Sequence, residues 1–134
     1  MDSRLASFFL LVCLAACSAP PPKDQAVTAE AKAYVRNFRF SGVGMKATEN
    51  FAGAVVTEIE GQITNAGDRT VDYVEVACVF YDAMNQLVLR ERVAIVKKPL
   101  KPGETRAFRL PFDTLPPSWN NQMPQLVIAH IKFS

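Results

Sequence analysis

From residue 34 onward, apolar and polar side chains alternate with a period of two, the spacing of strands with one face packed and one wetter. Val55, Thr57, Ile59 and Ile63 fall on one side of the 54–64 segment, with Glu58, Glu60, Gln62 and Thr64 on the other. Val74, Val76, Cys78 and Phe80 alternate with Tyr73, Glu75, Ala77, Val79 and Tyr81. Phe108, Leu110 and Phe112 alternate with Ala107 and Arg109. In the last run Val127, Ala129, Ile131 and Phe133 share the predicted inner face, opposite Ile128, His130 and Lys132. Turn-forming stretches separate these runs: Asn65-Ala66-Gly67-Asp68, Asp82-Ala83-Met84-Asn85, Pro99 to Gly103, and the prolines at 116, 117 and 124.

The pattern predicts seven strands, at about 35–46, 54–64, 71–82, 86–91, 93–97, 104–112 and 125–133. No helical pattern of ~10–15 residues lies between them, which argues against parallel βαβ units. Seven strands in such a length predict an all-β, immunoglobulin-like antiparallel sandwich over residues 34–134. An OB-type or lipocalin-like barrel is the rival that spacing leaves open.

The start of the chain breaks this pattern. Leu5 to Ala16 is an apolar run of twelve residues interrupted only by Ser7. A membrane-spanning helix needs ~20 apolar residues, whereas a signal-peptide apolar region takes ~7–15. Its positive flank is weak, with Arg4 opposed by Asp2. The run closes on Leu14-Ala15-Ala16-Cys17, which resembles the lipobox of bacterial lipoproteins. The resemblance implies a signal peptide over 1–16, cleavage between Ala16 and Cys17, a diacylglyceryl thioether on Cys17 and commonly an N-acyl chain. Two chains meet the usual requirement for stable anchoring, at ~0.8 kcal/mol per buried methylene. An ordinary secretory signal cut near Ala16 or Ala19 is the plainer alternative. Ser18 after the lipidated cysteine leans, by enterobacterial-type sorting, toward the periplasmic face of the outer membrane rather than the inner membrane.

Residues 17–33 then read as a lipidated cysteine and a tether. Pro20-Pro21-Pro22 favours stiff polyproline II, and 25–35 has helical composition without an apolar face, so it is expected to be tether or a frayed helix. Net charge is +2 with or without the signal, far from the basicity of a nucleic-acid binder, and 49% hydrophobic residues suit a packed core rather than disorder. Of three cysteines, Cys13 leaves with the signal and Cys17 takes lipid, so Cys78 has no disulfide partner.

Gly61-Gln62-Ile63-Thr64-Asn65-Ala66-Gly67, then Val79-Phe80-Tyr81-Asp82, then Pro102-Gly103-Glu104 with Phe108, resembles the FxLYD-type domain from about Phe38 to Phe112. Asn85 stands where that family's turn usually has glycine. The resemblance implies an immunoglobulin-like sandwich on exported or surface bacterial proteins and brings no catalytic residues.

Candidate chemistry is sparse. His130 is the single histidine, expected on the surface, and nucleophilic catalysis normally needs a base of that kind beside a Ser, Cys or Thr. Cys78 is expected as a buried thiol, since no Cys-x-x-Cys accompanies it. Met45, Met84, Met123 and His130 lack the clustering of a copper site, and no zinc set exists. Asp82 and Asn85 are expected to cap their own turn rather than hold calcium. Trp119 either plugs the open end of a sandwich, the preferred reading, or anchors a partner. Tyr73 and Tyr81, with Ala77 and Val79, make a rather apolar outer face, which either a neighbouring loop covers or a partner meets; Tyr73, Tyr81 and Trp119 are the candidate partner surface. Lys97, Lys98 and Lys101, with Arg90 and Arg92, are expected as a solvated edge, with anionic lipid headgroups as the alternative.

The expected function is therefore a non-enzymatic, lipid-anchored cell-envelope module acting by contact with an unknown envelope protein or as a structural accessory. It needs no cofactor or metal and binds no nucleic acid. The alternative is a periplasmic lipoprotein that binds a small apolar ligand in a β-cavity.

Overall fold

The computed structural model describes residues 28–49 and 51–134. The lipobox, Cys17 and the proline-rich stretch lie outside the described residues. Two antiparallel three-stranded sheets pack face to face. One has the order β1 (Phe38–Glu49), β2 (Val55–Asn65), β5 (Thr105–Phe112). The other has the order β4 (Leu87–Val96), β3 (Val71–Tyr81), β6 (Gln125–Phe133). The chain crosses between sheets at β2–β3, β4–β5 and β5–β6, the A-B-E and C′-C-F order of an immunoglobulin-like sandwich. Two open sheets replace the barrel rivals.

There are six strands rather than the expected seven. The segments predicted at 86–91 and 93–97 are one strand, because Arg92 pairs with Ala77 and keeps the ladder to β3 continuous. The first strand starts at Phe38, not 35, since Val35–Asn37 forms a 3-10 turn. That turn continues helix α1 (Ala29–Tyr34), whose Thr28 side chain accepts a hydrogen bond from the Ala31 N–H as an N-cap. Ala31 and Tyr34 are buried in the core. The stretch expected as tether or frayed helix thus packs on the domain from Thr28 onward, and the boundary placed at 33/34 runs through α1.

Val74, Val76, Cys78 and Phe80 of β3 meet Ile59 and Ile63 of β2 and Phe108, Leu110 and Phe112 of β5 in the core. The phase of β6 differs from expectation. Glu75 pairs with His130 but Val76 with Ile128, so Ala129 is an extra residue in a β-bulge. The bulge reverses the alternation: Leu126 and Ile128 turn inward, while Val127, predicted inward, is 41% exposed. Period-two reasoning has no signal for such an inserted residue.

Candidate functional site

Three groups of side chains are built by this frame, at its base, its outer face and its crown. The base is knitted by Asn65, at the end of β2 and wholly buried. Its Nδ2 donates to the carbonyls of Arg69 (2.7 Å) and Leu100 (3.0 Å). Its Oδ1 accepts from the Tyr34 hydroxyl (2.7 Å) and the Gly67 N–H (3.2 Å). Its backbone N–H donates to Glu104 O, and its carbonyl accepts from the Gly103 N–H. Every capacity of the amide is used, as burial demands. One asparagine joins α1, the β2–β3 turn and the β4–β5 connection, so it is a structural node.

Gly61, four residues earlier, sits opposite Phe108. A Cβ there would lie 2.8 Å from Phe108 Cζ and 3.0 Å from Val43 Cγ2. The glycine makes room for the ring. Asp82 accepts from the N–H groups of Met84 (2.9 Å) and Gln86 (2.8 Å), and Asn85 has φ 59°. The aspartate caps its own turn, as expected, with Asn taking the left-handed place a glycine usually fills.

On the outer face of the β4-β3-β6 sheet, the Tyr73 hydroxyl donates to Glu75 Oε2 (2.7 Å) and Arg92 pairs with Glu75 Oε1. His130 lies across the strand pair from Glu75, its ring 5.9 Å from that of Tyr73, and Lys132 Nζ stands 5.1 Å over the Tyr73 ring. Burial pushes the Glu75 carboxyl up, but the Tyr73 hydroxyl and Arg92 outweigh it and hold it below the usual carboxylate range. The Glu75 hydrogen bond, then burial, raises the Tyr73 phenol. Ala77 and Val79 are on this face but buried, flanked by Arg92 and Val127 and by Arg90 and Gln125. The outer face is therefore a paired polar surface rather than the expected apolar stripe. Cys78, on the inner face, is fully buried, and burial pushes its thiol up to about 11. It is a small core side chain without the thiolate character of a reactive cysteine.

The crown is the end opposite α1, where the loops 49–55, 82–86 and 113–124 meet. Trp119 bridges to Asp82 through the backbone, and its ring stands edge-on to Phe80, with centroids 5.7 Å apart. It closes the core at this end, the preferred expectation; its buried Nε1 has no hydrogen-bond partner among the described residues. Tyr81 hydrogen-bonds Gln125 from the outer face, and Tyr73 lies toward the base on the same strand. The three residues of the candidate partner surface thus do not form one patch. Two clefts flank Trp119. One, of about 400 Å³, is lined by Phe112, Leu115 and Pro116; the other, of about 250 Å³, by Met45, Ala47 and Val55.

Sequence reasoning missed what lies on the rim. Phe51 is fully exposed at the β1–β2 tip, Met84 is 80% exposed in the β3–β4 turn, and Val55, Leu87 and Met123 are exposed nearby. Five of the seven large exposed apolar side chains among the described residues therefore occupy this end. The available signal was topological: in a sandwich of this strand order these three loops share an end. The lysines expected on a strand edge with Arg90 and Arg92 sit instead in the β4–β5 connection, at the base. Among the described residues no cluster of three or more His, Cys, Asp or Glu gathers to hold a metal ion.

No family model and no curated protein matches the chain. Among solved structures, the crystal structure of the "Putative ApaA Protein" from Bordetella pertussis is similar over 72% of this chain and 92% of its own, at 16% identity and a TM-score of 0.37.

Proposed function

We propose that the protein is a lipid-anchored, non-enzymatic module of the bacterial cell envelope, on the periplasmic face of the outer membrane, that acts by contact with another envelope protein through its crown. The observation that carries this reading is the polarity of the sandwich. The N-terminal segment, with its lipobox likeness at Cys17, joins the domain at α1, on the base. The exposed apolar side chains gather at the other end, on the loops farthest from that junction. An anchored module needs its contact surface turned away from its anchor. The likeness to FxLYD-type domains supports the same reading, because its motif residues Gly61, Asn65, Phe80 and Asp82 all hold loops or core in place.

The test has two parts. Grown with an alkyne palmitate analogue, cells expressing the full chain should yield labelled protein in a membrane pellet washed at high salt, and Cys17→Ser should lose both label and pellet. Retention of Cys17→Ser without label on membranes after that wash would overturn the anchor. A photo-crosslinking residue at position 51 or 84 should capture the same envelope protein, and one at position 98 should not. Capture from both ends alike would overturn the crown as the contact surface. The alternative, a small apolar ligand held inside, requires space now taken by Phe80, Phe108, Phe112 and Leu110.

A further inference from the structure

The two ends of the sandwich differ in charge as well as in polarity. At the base, residues 28–37, 65–71 and 97–104 carry six basic side chains (Lys32, Arg36, Arg69, Lys97, Lys98, Lys101) against three acidic ones (Glu30, Asp68, Glu104). At the crown, residues 49–55, 82–86 and 113–124 carry Glu49, Asp82 and Asp113 and no lysine or arginine. Arg69 is paired with Glu30, while Lys32, Arg36, Lys97, Lys98 and Lys101 are exposed and form no ion pair among the described residues.

The lysine loop is also held in shape. Arg106 donates to the carbonyls of Lys98 (2.6 Å) and Pro99 (2.8 Å), and its other partner is Glu104. Leu100 is wholly buried and exchanges backbone hydrogen bonds with Val71. Backbone and apolar anchors thus point one way, and the three ammonium groups are left to solvent.

We infer that the base is a docking face for an anionic bilayer surface, with lipid phosphates meeting Lys97, Lys98 and Lys101 on one side and Lys32 and Arg36 on the other. This deepens the lipid-anchored reading and rests on it. The eleven residues from Cys17 to Thr28 span at most about 40 Å, so the tether permits contact without forcing it. The surface potential decays within ~8–10 Å at physiological salt. The strands set the crown on the order of 30 Å farther out, at ~3.3 Å per residue. Base-down seating therefore brings the positive end into the field and keeps the three crown carboxylates out of it. It leaves the apolar crown turned toward the periplasm.

The chain from residue 17 with Cys17→Ser includes every described residue and both sheets, and removes the lipid from the measurement. It should sediment with vesicles of phosphatidylethanolamine and phosphatidylglycerol (3:1) at 50 mM salt, be released at 500 mM, and ignore pure phosphatidylcholine. Lys97→Gln/Lys98→Gln/Lys101→Gln should weaken binding by about tenfold to a hundredfold. Removing the same charge elsewhere, with Lys46→Gln/Arg90→Gln/Arg109→Gln, should change it by less than about threefold. Equal losses in the two triples would mean diffuse attraction and overturn the assigned face, as would binding that does not depend on anionic lipid. Palmitate labelling separates the two ideas. A labelled full chain whose unlipidated form ignores anionic vesicles loses the docking face alone, and vesicle binding with no label on Cys17 loses the anchor alone.

Discussion

Replacing Asn65 by alanine should cost about 3 kcal/mol of folding stability. The side chain makes four hydrogen bonds, of 2.7, 2.7, 3.0 and 3.2 Å, in a fully buried setting. Each such bond contributes a net ~0.5–1.5 kcal/mol. The lost partners are not equally harmed. Leu100 O still accepts from the Val71 N–H, and the Tyr34 hydroxyl, once released from Asn65 Oδ1, can turn its single proton to Arg69 O. The Gly67 N–H loses the acceptor that Asn65 supplies. That places the total in the lower half of the additive range of ~2–6 kcal/mol.

With a urea slope of ~1.5 kcal/mol/M, the midpoint should fall by about 2 M. Tyr34→Phe, which removes one hydroxyl shared between Asn65 and Arg69, should cost about 1–2 kcal/mol. In a double-mutant cycle the pair should show a coupling of about 1 kcal/mol, because both changes delete the same bond. Asn65→Asp keeps the shape but points a carboxylate oxygen at two carbonyls. It should be worse than alanine at pH 7 and recover as acid protonates it. A loss below about 1 kcal/mol for Asn65→Ala, or strict additivity with Tyr34→Phe, would refute the node.

Three further outcomes follow from other sites. Gly61→Ala should destabilise by about 1–3 kcal/mol, since its Cβ would meet Phe108 Cζ and Val43 Cγ2; Phe108→Leu in the same chain should recover part of that in the same denaturation assay. Cys78 should resist a thiol reagent at pH 8 in the native protein and react once the protein is unfolded. Its folded thiol ionises near 11 and its unfolded one near 9, so the unfolded chain gives up its proton first, and this contribution to stability should fall between pH 9 and 11. Cys78→Ala should flatten that alkaline slope. Glu58 is held below the usual carboxylate range by the Arg109 hydrogen bond, and Glu75 lies below it despite its burial. Their stabilisation is present above about pH 4.3 and is lost as pH falls through the lowered values. Acid unfolding of Glu75→Gln should therefore be shallower than that of the parent.

The strands were readable because burial acts on every second side chain, and one buried face repeats that constraint many times. Ile59, Ile63, Val74, Val76, Phe108 and Leu110 are all core residues, as their spacing implies. The failures within the strands have one source, a single residue that obeys a neighbour instead of its own strand. Ala129 bulges because β6 must stay in register with β3 on both sides of it, and nothing within 125–133 marks that insertion. Arg92 looked like a break in the pattern, yet its partner on β3 carries the strand through. The helix at 29–34 had no visible apolar face because two residues, Ala31 and Tyr34, do all of its burying.

The motif residues and the contact residues obey different rules, and this decides what a sequence of this kind reveals. Asn65, Gly61 and Asp82 satisfy backbone groups or clear space for a ring, so their chemistry follows from the fold whatever the domain touches. The side chains of Phe51 and Met84 are exposed and do not belong to the core. Their meaning comes only from position, at the end opposite the junction with the N-terminal segment. Exchanging Phe51 and Met84 for serine should therefore leave the urea midpoint within the experimental spread, because neither side chain leaves the core on unfolding. If those changes lower stability by more than about 1 kcal/mol, the side chains belong to the packing of the domain, and the crown loses its claim to a partner.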